Sequence, residues 1–308
     1  MKKKLMYGCI FVFIAAVFLV GPASVSAQVG RQANGILVPY GYYNETVDLT
    51  IGVQLANVNL TGTEFGILYV YFFDKDGARL AFKTISVDVE GNVRQYGISL
   101  RNIDDNTHPN VPGYVIVLYN DDDSGEWAAG DVFSQVSGYA VLLDVGDDDA
   151  AYIPVISLGG GYPPFGDFNF GATNDTNIDL TNFSTSDMSN LMYSSMGFGS
   201  FSAAEGPFLL DLESTTTVIV WTVQDADPQF TCSAQPLNGG TPTSFTLARK
   251  GTKLNVFNIP ADATGFPSLG AGLIKINQTN NTPGIMFTLV KSGLFDATQT
   301  LMPTRVMP

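Results

Sequence analysis

The sequence has little positive charge. Of its 308 residues, 15 are lysine or arginine and 29 are acidic, which gives a net charge of -14. Nucleic acids are bound through clustered lysine and arginine, so this balance excludes an electrostatic nucleic-acid-binding protein. Charged residues make up only 14% of the chain and hydrophobic residues 45%. A disordered chain shows the opposite balance, so we expect a folded protein with an apolar core.

Residues that carry catalysis are scarce as well. The single histidine, His108, lies in a loop beside Pro109, where a surface residue is expected. The sequence has no Gly-x-Ser-x-Gly elbow, no His-Glu-x-x-His helix and no Cys-His metal set. A Ser-His-Asp hydrolase would lack a convincing base, so the sequence predicts a protein that is not an enzyme. A glycoside hydrolase or lyase is the least favoured alternative, because it needs only two facing carboxylates.

The beginning of the chain predicts export. Lysines at 2–4 precede an apolar run over 5–20, and small residues lead up to Ala27, the pattern of a signal peptide cleaved there. The run is shorter than the ~20 residues of a spanning helix, and we expect no membrane span after cleavage. Cys9 leaves with the leader, so Cys232 remains, either as a buried structural thiol or as the source of an intermolecular disulfide. We expect a bacterial protein in the periplasm, at the cell surface or outside the cell.

Apolar residues recur with a period of two. Residues 47–55 alternate between apolar and polar, which predicts a strand with one buried face, and 65–73 are continuously apolar and aromatic, which predicts a strand inside a sandwich. Residues 74–77, 249–252 and 277–284 have the composition of hairpin turns. The predicted fold class is all-β, an antiparallel β-sandwich, immunoglobulin-like or jelly-roll-like, in two sandwich blocks.

The predicted organisation has four parts. These are a signal peptide (1–27), an N-terminal β-sandwich domain (28–157), a Gly/Pro/aromatic linker or crossover (158–171) and a C-terminal β domain (172–308) with one short helix near 186–196. Acidity is concentrated in the first domain, since residues 101–150 hold 11 acidic residues and one basic residue. This acidic pole either remains solvated or binds a cation.

One acidic loop resembles the calcium-binding loops of EF-hand and dockerin proteins. Oxygen-bearing side chains occur at alternating positions around a glycine, at Asn120, Asp122, Ser124 and Asp131. The loop follows a strand rather than a helix, and Ala128 offers no side-chain oxygen, so a solvated acidic turn is the alternative. Ca²⁺ is the only cofactor that the sequence suggests.

Two groups of aromatic residues are candidate ligand-binding residues. They are Tyr40, Tyr42 and Tyr43 in the first group, and Tyr162 and Phe165 in the second. Exposed rings of this kind would stack on sugars, as in carbohydrate-binding modules, whereas buried rings would cover the edges of the sandwich. Trp221 alternates within an apolar strand and is expected in the core.

Several short motifs carry a resemblance. They are Leu37-Val38-Pro39-Tyr40, Tyr71-Phe72-Phe73-Asp74, Tyr152-Ile153-Pro154, Val220-Trp221 and Cys232. With them the chain resembles a loose group of uncharacterised secreted bacterial β-rich proteins. The resemblance implies export and a β-rich fold, and it transfers no activity and no site residues.

The function predicted from these patterns is binding or self-assembly. The protein is expected to be a structural or adhesive component of the cell envelope or extracellular space. Assembly would proceed by strand addition to a neighbouring protein, with residues 28–40 as the donor strand. The alternative is a protein like a carbohydrate-binding module, with polysaccharide as partner and Ca²⁺ held at Asp122 and Asp131.

Overall fold

The computed structural model describes most of the chain between residues 35 and 307. The described residues are 35–56, 65–88, 93–120, 135–158, 199–200, 203–210, 214–222, 226–237, 239–263, 265–266, 270–278, 283–292, 297–301 and 305–307. Within them the fold is nearly all β, in antiparallel sheets that form sandwich-like blocks, as the sequence predicts. None of the helical segments in these ranges has the length and apolarity needed to cross a membrane.

The first block consists of two sheets and one helical turn. Sheet A has the strand order β5-β2-β7-β8 and sheet B the order β4-β3-β6-β1-β9. Its elements are β1 (Gly35–Gly41), β2 (Val47–Ala56), β3 (Phe65–Asp74), β4 (Arg79–Asp88), β5 (Val93–Ser99), α1 (Leu100–Ile103), β6 (Gly113–Asn120), β7 (Gln135–Asp144), β8 (Asp149–Ile153) and β9 (Ile156–Leu158).

The second block also consists of two sheets. Sheet C has the order β10-β17-β12-β15, with β18 paired to β17, and sheet D has the order β14-β13-β16-β11-β19. Its strands are β10 (Gly199–Ser200), β11 (Ala203–Leu210), β12 (Ser214–Thr222), β13 (Gln229–Pro236), β14 (Thr243–Ala248), β15 (Leu254–Ile259), β16 (Gly270–Asn277), β17 (Pro283–Ser292), β18 (Ala297–Leu301) and β19 (Arg305–Met307).

The two blocks repeat one topology. Each strand of the first block has a counterpart ten strands later in the second block. Sheet B (β4-β3-β6-β1-β9) corresponds to sheet D (β14-β13-β16-β11-β19), and sheet A (β5-β2-β7-β8) corresponds to the path β15-β12-β17-β18 of sheet C. The register repeats too. The pair Ala140–Ile153 of β7 and β8 corresponds to Thr288–Leu301 of β17 and β18, with both residues 148 positions further on. The chain is therefore duplicated at the level of the fold, and equivalent positions in the two blocks can be compared.

Sheet B is covered on both faces, which explains why all seven residues of β1 are buried. One face packs on sheet A, where the Cδ1 of Ile36 occupies the space beside Gly138, 2.6 Å from where a Cβ would stand. The opposite face carries Tyr114, whose ring meets the ring of Trp221 in sheet C edge-on at 5.7 Å between centroids. The uninterrupted apolar runs in β1, β3 and β6 follow from this double burial.

Sheet C is covered on both faces as well. Val218 and Val220 pack with sheet D, whereas Ile219 and Trp221 belong to the hydrophobic core of the first block. Successive residues of β12 therefore point into two different hydrophobic cores. Trp221 is fully buried between the blocks, so the prediction that it lies in a core is confirmed.

Backbone contacts reinforce this joint between the blocks. The N–H groups of Lys253 and Leu254 both donate to the carbonyl of Lys75 in the β3–β4 turn, at 2.9 Å. The backbone N–H of Thr252 donates to a carboxylate oxygen of Asp76, also at 2.9 Å. Gly251 permits the approach, because a Cβ there would stand 2.7 Å from the Lys75 carbonyl oxygen.

Two of the three predicted hairpins are wrong. Residues 74–77 do connect the paired strands β3 and β4. Residues 249–252 lead instead from β14 in sheet D to β15 in sheet C, and 277–284 lead from β16 in sheet D to β17 in sheet C. Polar and glycine residues mark a change of direction, but which sheet accepts the next strand depends on packing that a turn does not encode.

The structure also overturns the donor-strand prediction for the part of it that is described. β1 lies inside its own sheet, paired with β6 on one side and β9 on the other. β9 pairs only with residues 35–37, but all seven residues of β1 are buried, so its removal would disrupt the sandwich rather than leave a folded monomer. Residues 28–34 of the predicted donor lie outside the described residues.

Because the two blocks pack against each other at this joint, we expect the protein to unfold in a single transition. Trp221→Ala should lower the free energy of that unfolding by about 3–5 kcal/mol, because a large cavity opens between the blocks. Urea denaturation followed by fluorescence and by circular dichroism measures this. Leu237→Ala is the control, since that side chain is 49% exposed and should change stability by no more than about 0.5 kcal/mol. Equal stability of the Trp221 variant and the parent protein would contradict the packing described.

Candidate functional site

The predicted calcium loop is almost entirely outside the described residues. Asn120 is the last residue of β6, and Asp122, Ser124 and Asp131 fall in the undescribed range that follows. Among the residues that are described, no group of three or more His, Cys, Asp or Glu side chains is placed to hold a metal ion. Calcium binding therefore stays a prediction.

The first group of predicted aromatic ligands takes the packing alternative. Tyr40 is 6% exposed and Tyr43 is 1% exposed, so neither ring can stack on a ligand. Burial raises the pKa of the Tyr40 hydroxyl above its usual value. Tyr42 is half-buried, with its ring 6.1 Å from that of Tyr40. The remaining candidates, Tyr162 and Phe165, lie outside the described residues, as does the predicted helix near 186–196.

A buried polar cluster replaces the expected tyrosine platform. The carboxylate of Asp104 accepts hydrogen bonds from the Tyr43 hydroxyl and from the backbone N–H of His108, the latter at 2.6 Å. The other carboxylate oxygen lies 2.8 Å from Nδ1 of His108. Burial, together with the bond to Asp104, raises the pKa of Tyr43 to about 12. Asp105 and Asn106 adopt left-handed backbone conformations beside it, at φ of 49° and 59°.

This cluster corrects the expectation for His108. Its side chain is 34% exposed and is oriented by a carboxylate, rather than lying free on the surface. A carboxylate orients catalytic histidines in the same way, but no described hydroxyl or thiol bonds the other ring nitrogen. The sequence did not reveal the cluster because Tyr43 comes from a segment 61 residues before Asp104. Its evident role is to fix the loop after α1.

Tyr43→Phe tests this structural role. Removal of one donor from a buried carboxylate should lower the free energy of unfolding by about 1–3 kcal/mol, because Asp104 loses a charge-assisted hydrogen bond. Chemical denaturation at pH 7 measures the loss. Thr84→Val, at an exposed strand position of sheet B, is the comparison and should stay within about 0.5 kcal/mol of the parent. An unchanged Tyr43 variant would show that the hydroxyl contributes nothing.

The described residues with large exposed apolar side chains concentrate on sheet A. Tyr139 is 55% exposed, Tyr152 70% and Leu143 36%. The core-facing residues of β2 alternate with those of its outer side, and the register places the outer residues of all four strands on one surface. We call this surface the tyrosine face, and its members are Thr50, Gly52, Gln54, Gln95, Gly97, Ser99, Ser137, Tyr139, Val141, Leu143, Ala150 and Tyr152.

The ring of Tyr139 lies across the sheet. Gly52 is its register partner on β2, and a Cβ built on Gly52 would stand 2.2 Å from Cζ and 2.7 Å from the hydroxyl oxygen of Tyr139. The ring thus occupies the space that a side chain at 52 would need. Because Tyr139 is still more than half exposed, the side of the ring away from the sheet faces solvent.

Tyr152 lies on the same surface one strand away. It is directly opposite Val141, which is two residues beyond Tyr139 on β7. Strand spacing and rise place the Cα atoms of the two tyrosines about 8 Å apart on the diagonal. Two amphipathic rings are therefore neighbours on an open sheet.

The second block supplies an internal comparison for this surface. The pair Gly52–Tyr139 is equivalent to Ile219–Phe287 in sheet C, where both residues are fully buried against the first block. The equivalent of the tyrosine face is thus a contact surface within the molecule. In sheet A, no sheet of the described part of the chain packs on this surface, and Tyr139 and Tyr152 are exposed.

Sheet D also has a free face, and its residues can be compared with those at equivalent positions on the covered face of sheet B. On sheet B the joint-facing residues of β3 include Tyr71 and Phe73, and their register equivalents on the free face of sheet D are Ser233 and Gln235. Aromatic residues are replaced by polar residues there. On the tyrosine face Tyr139 keeps its ring, and Tyr152 stands where sheet C has Thr300. Exposed rings are therefore retained on one free face and absent from these positions of the other.

Comparisons with known proteins identify no family. No family model and no curated protein matches the chain. Among solved structures, a tandem CBM22-1–CBM22-2 domain of Xyn10C from Paenibacillus barcinonensis is 14% identical over 85% of this chain and 80% of its own, with a TM-score of 0.18. A lectin from Pleurotus ostreatus is 11% identical over 90% and 82%, with a TM-score of 0.17. Likenesses this weak carry no argument about this chain.

Cys232 lies away from the tyrosine face, in β13 of sheet D. It is a free thiol, 2% exposed, and burial raises its pKa to about 12. The interpretation as a buried structural thiol is therefore confirmed.

A thiolate is required for alkylation, and a thiol with this pKa stays protonated at pH 8. We expect no labelling of the native protein by iodoacetamide in the time that labels the urea-unfolded chain. The native protein should also run as a monomer on a non-reducing gel. Rapid labelling in the native state, or a disulfide-linked dimer, would contradict the burial.

Proposed function

We propose that this protein is an exported, non-catalytic binding protein that attaches to polysaccharide through the tyrosine face. One observation carries the proposal: Tyr139 and Tyr152 are exposed side by side on a sheet whose counterpart in the second block is buried at Ile219, Trp221 and Phe287. The export signal predicted in residues 1–27 supports the proposal, because an exported protein meets the polysaccharides of the envelope or surroundings.

The ring geometry favours a sugar over a flat apolar partner. A sugar ring offers C–H groups on its faces and hydroxyls around its edge. A tyrosine that lies flat offers a π face for the C–H groups and a hydroxyl for hydrogen bonding. Tyr139 lies in this orientation over Gly52, so its stacking surface is pre-formed and costs little ordering entropy on binding.

The surroundings of the rings support a role without chemistry. Glycoside hydrolysis needs two carboxylates facing one bond. The outer side of β2 also carries one carboxylate, that of Asp48, which accepts hydrogen bonds from Ser99 Oγ at 2.5 Å and from the Arg101 N–H at 3.1 Å. Those bonds direct it to the β5–α1 corner rather than to a substrate.

Adhesion through this face also replaces the assembly route suggested by the sequence. Strand addition needs an unpaired donor, and β1 is paired on both sides within its own sheet. A binding face needs no rearrangement of that strand. The adhesive role is thus retained, with a surface rather than a strand as its means.

Binding should depend on both rings. Tyr139→Ala and Tyr152→Ala should each weaken retention of the protein in gels that contain soluble polysaccharides by about tenfold, because a stacked aromatic contributes about 0.5–1.5 kcal/mol beyond the area it buries. Affinity electrophoresis across a polysaccharide panel measures this. Val145→Ala is the matched control, since that apolar side chain is 70% exposed but lies in the turn beyond β7.

Two outcomes would contradict the proposal. One is retention that both tyrosine variants share with the parent protein. The other is a panel in which no polysaccharide retards the parent. Release of reducing sugars from any retained polysaccharide would contradict the non-catalytic role specifically.

A further inference from the structure

We infer that the ligand is an uncharged glycan whose chain crosses the strands of sheet A through a glycine trench. The trench is the open strip above Gly97 on β5, and it ends at the Tyr139 ring, which covers Gly52 on β2. This inference rests on the proposed function and specifies the ligand class and the position of the chain on the face.

The register places the three residues in one row. Gly97 is the partner of Gly52 on one side, and Tyr139 is its partner on the other. Tyr139 fills the space above Gly52, whereas a Cβ built on Gly97 would meet nothing within 4 Å. The row is therefore lower than the sheet around it only at Gly97, where it is open at the β5 edge.

Gly52 leaves room for the Tyr139 ring, but neither packing nor backbone conformation requires glycine at Gly97. Neither Gly52 nor Gly97 is among the described glycines with positive φ, so both have backbone conformations that any residue adopts. Glycine in the interior of a strand weakens it. The equivalent pair in sheet C is Ile219–Val256, two β-branched residues that favour strands. The position of Gly97 thus holds a large side chain, Val256, where the face is covered and none where it is free.

The rows on either side of the trench supply uncharged hydrogen-bonding groups. Gln54 and Gln95 are partners in one neighbouring row. The other row holds Thr50 opposite Ser99, whose hydroxyl already donates to Asp48 at 2.5 Å. Each row lies about 7 Å from the trench axis, so a sugar ring fits between them. Amides and hydroxyls both donate and accept, as sugar hydroxyls do.

Charge selects against ionic polymers. The four residues that flank the trench carry no charge, so a carboxylated glycan would gain no ion pair from them. The chain as a whole has a net charge of -14, which repels polyanions at long range. A cationic glycan would find no carboxylate among these flanking residues. The chemistry that fits is a neutral polysaccharide.

Gly97→Val tests whether the ligand lies over this residue without destabilising the fold. Valine should fill the open end of the trench and weaken binding by tenfold or more, while the melting temperature stays equal or rises, because valine favours a strand. Thr246→Val is the matched control, since Thr246 is an exposed strand residue on the free face of sheet D. It should leave retention unchanged.

Affinity electrophoresis with defined probes provides the readout. Neutral probes are mixed-linkage β-glucan, galactomannan and hydroxyethylcellulose; alginate and polygalacturonate are anionic, and chitosan is cationic. We expect retardation by at least one neutral probe, loss of it in Gly97→Val, and no retardation by charged probes.

The possible failures are distinguishable. Retardation that Tyr139→Ala abolishes but Gly97→Val preserves would overturn the trench and leave the proposed function intact. Stronger retardation by a charged probe than by every neutral one would overturn the ligand class alone. Absence of retardation by all six probes would overturn both the trench and the proposed function.

Discussion

The structure depends on the packing of sheet B against sheet C. Tyr114 and Trp221 meet at this joint, and strands on both sides of it are apolar on both faces. Two copies of one topology are thereby joined into a stack in which the centres of the inner sheets are covered on both faces. The remaining sheets, A and D, each keep one face in solvent.

The duplication makes the two free faces informative. Each has a buried counterpart in the other block, so the residues at equivalent positions differ in their surroundings but not in their place in the fold. Sheet D has polar residues such as Gln235 at positions where sheet B has aromatic residues such as Phe73. Sheet A keeps a ring at Tyr139, gains one at Tyr152 and loses the side chain at Gly97. Solubility explains the first pattern, and we propose ligand binding as the reason for the second.

The sequence predicted the elements better than their surroundings. Period-two alternation located most of the strands, because a pleated strand imposes that period wherever it lies. Alternation does not tell which of two apolar faces a second sheet will cover, so Tyr71 and Tyr152 look alike in sequence although one is buried and the other exposed. The predicted Tyr40 and Tyr43 proved buried for the same reason. The trench depends on register between Gly52 and Gly97, 45 positions apart, which no local pattern encodes.

Nuclear magnetic resonance tests the central claim most directly. A neutral oligosaccharide, cut from whichever polysaccharide retards the protein, is titrated into the ¹⁵N-labelled protein. The account predicts that amide shifts change along the outer rows of β2, β5, β7 and β8, with the largest changes at Gly52 and Gly97. Shifts confined to sheet D, to the loop around His108 or to no site would contradict it.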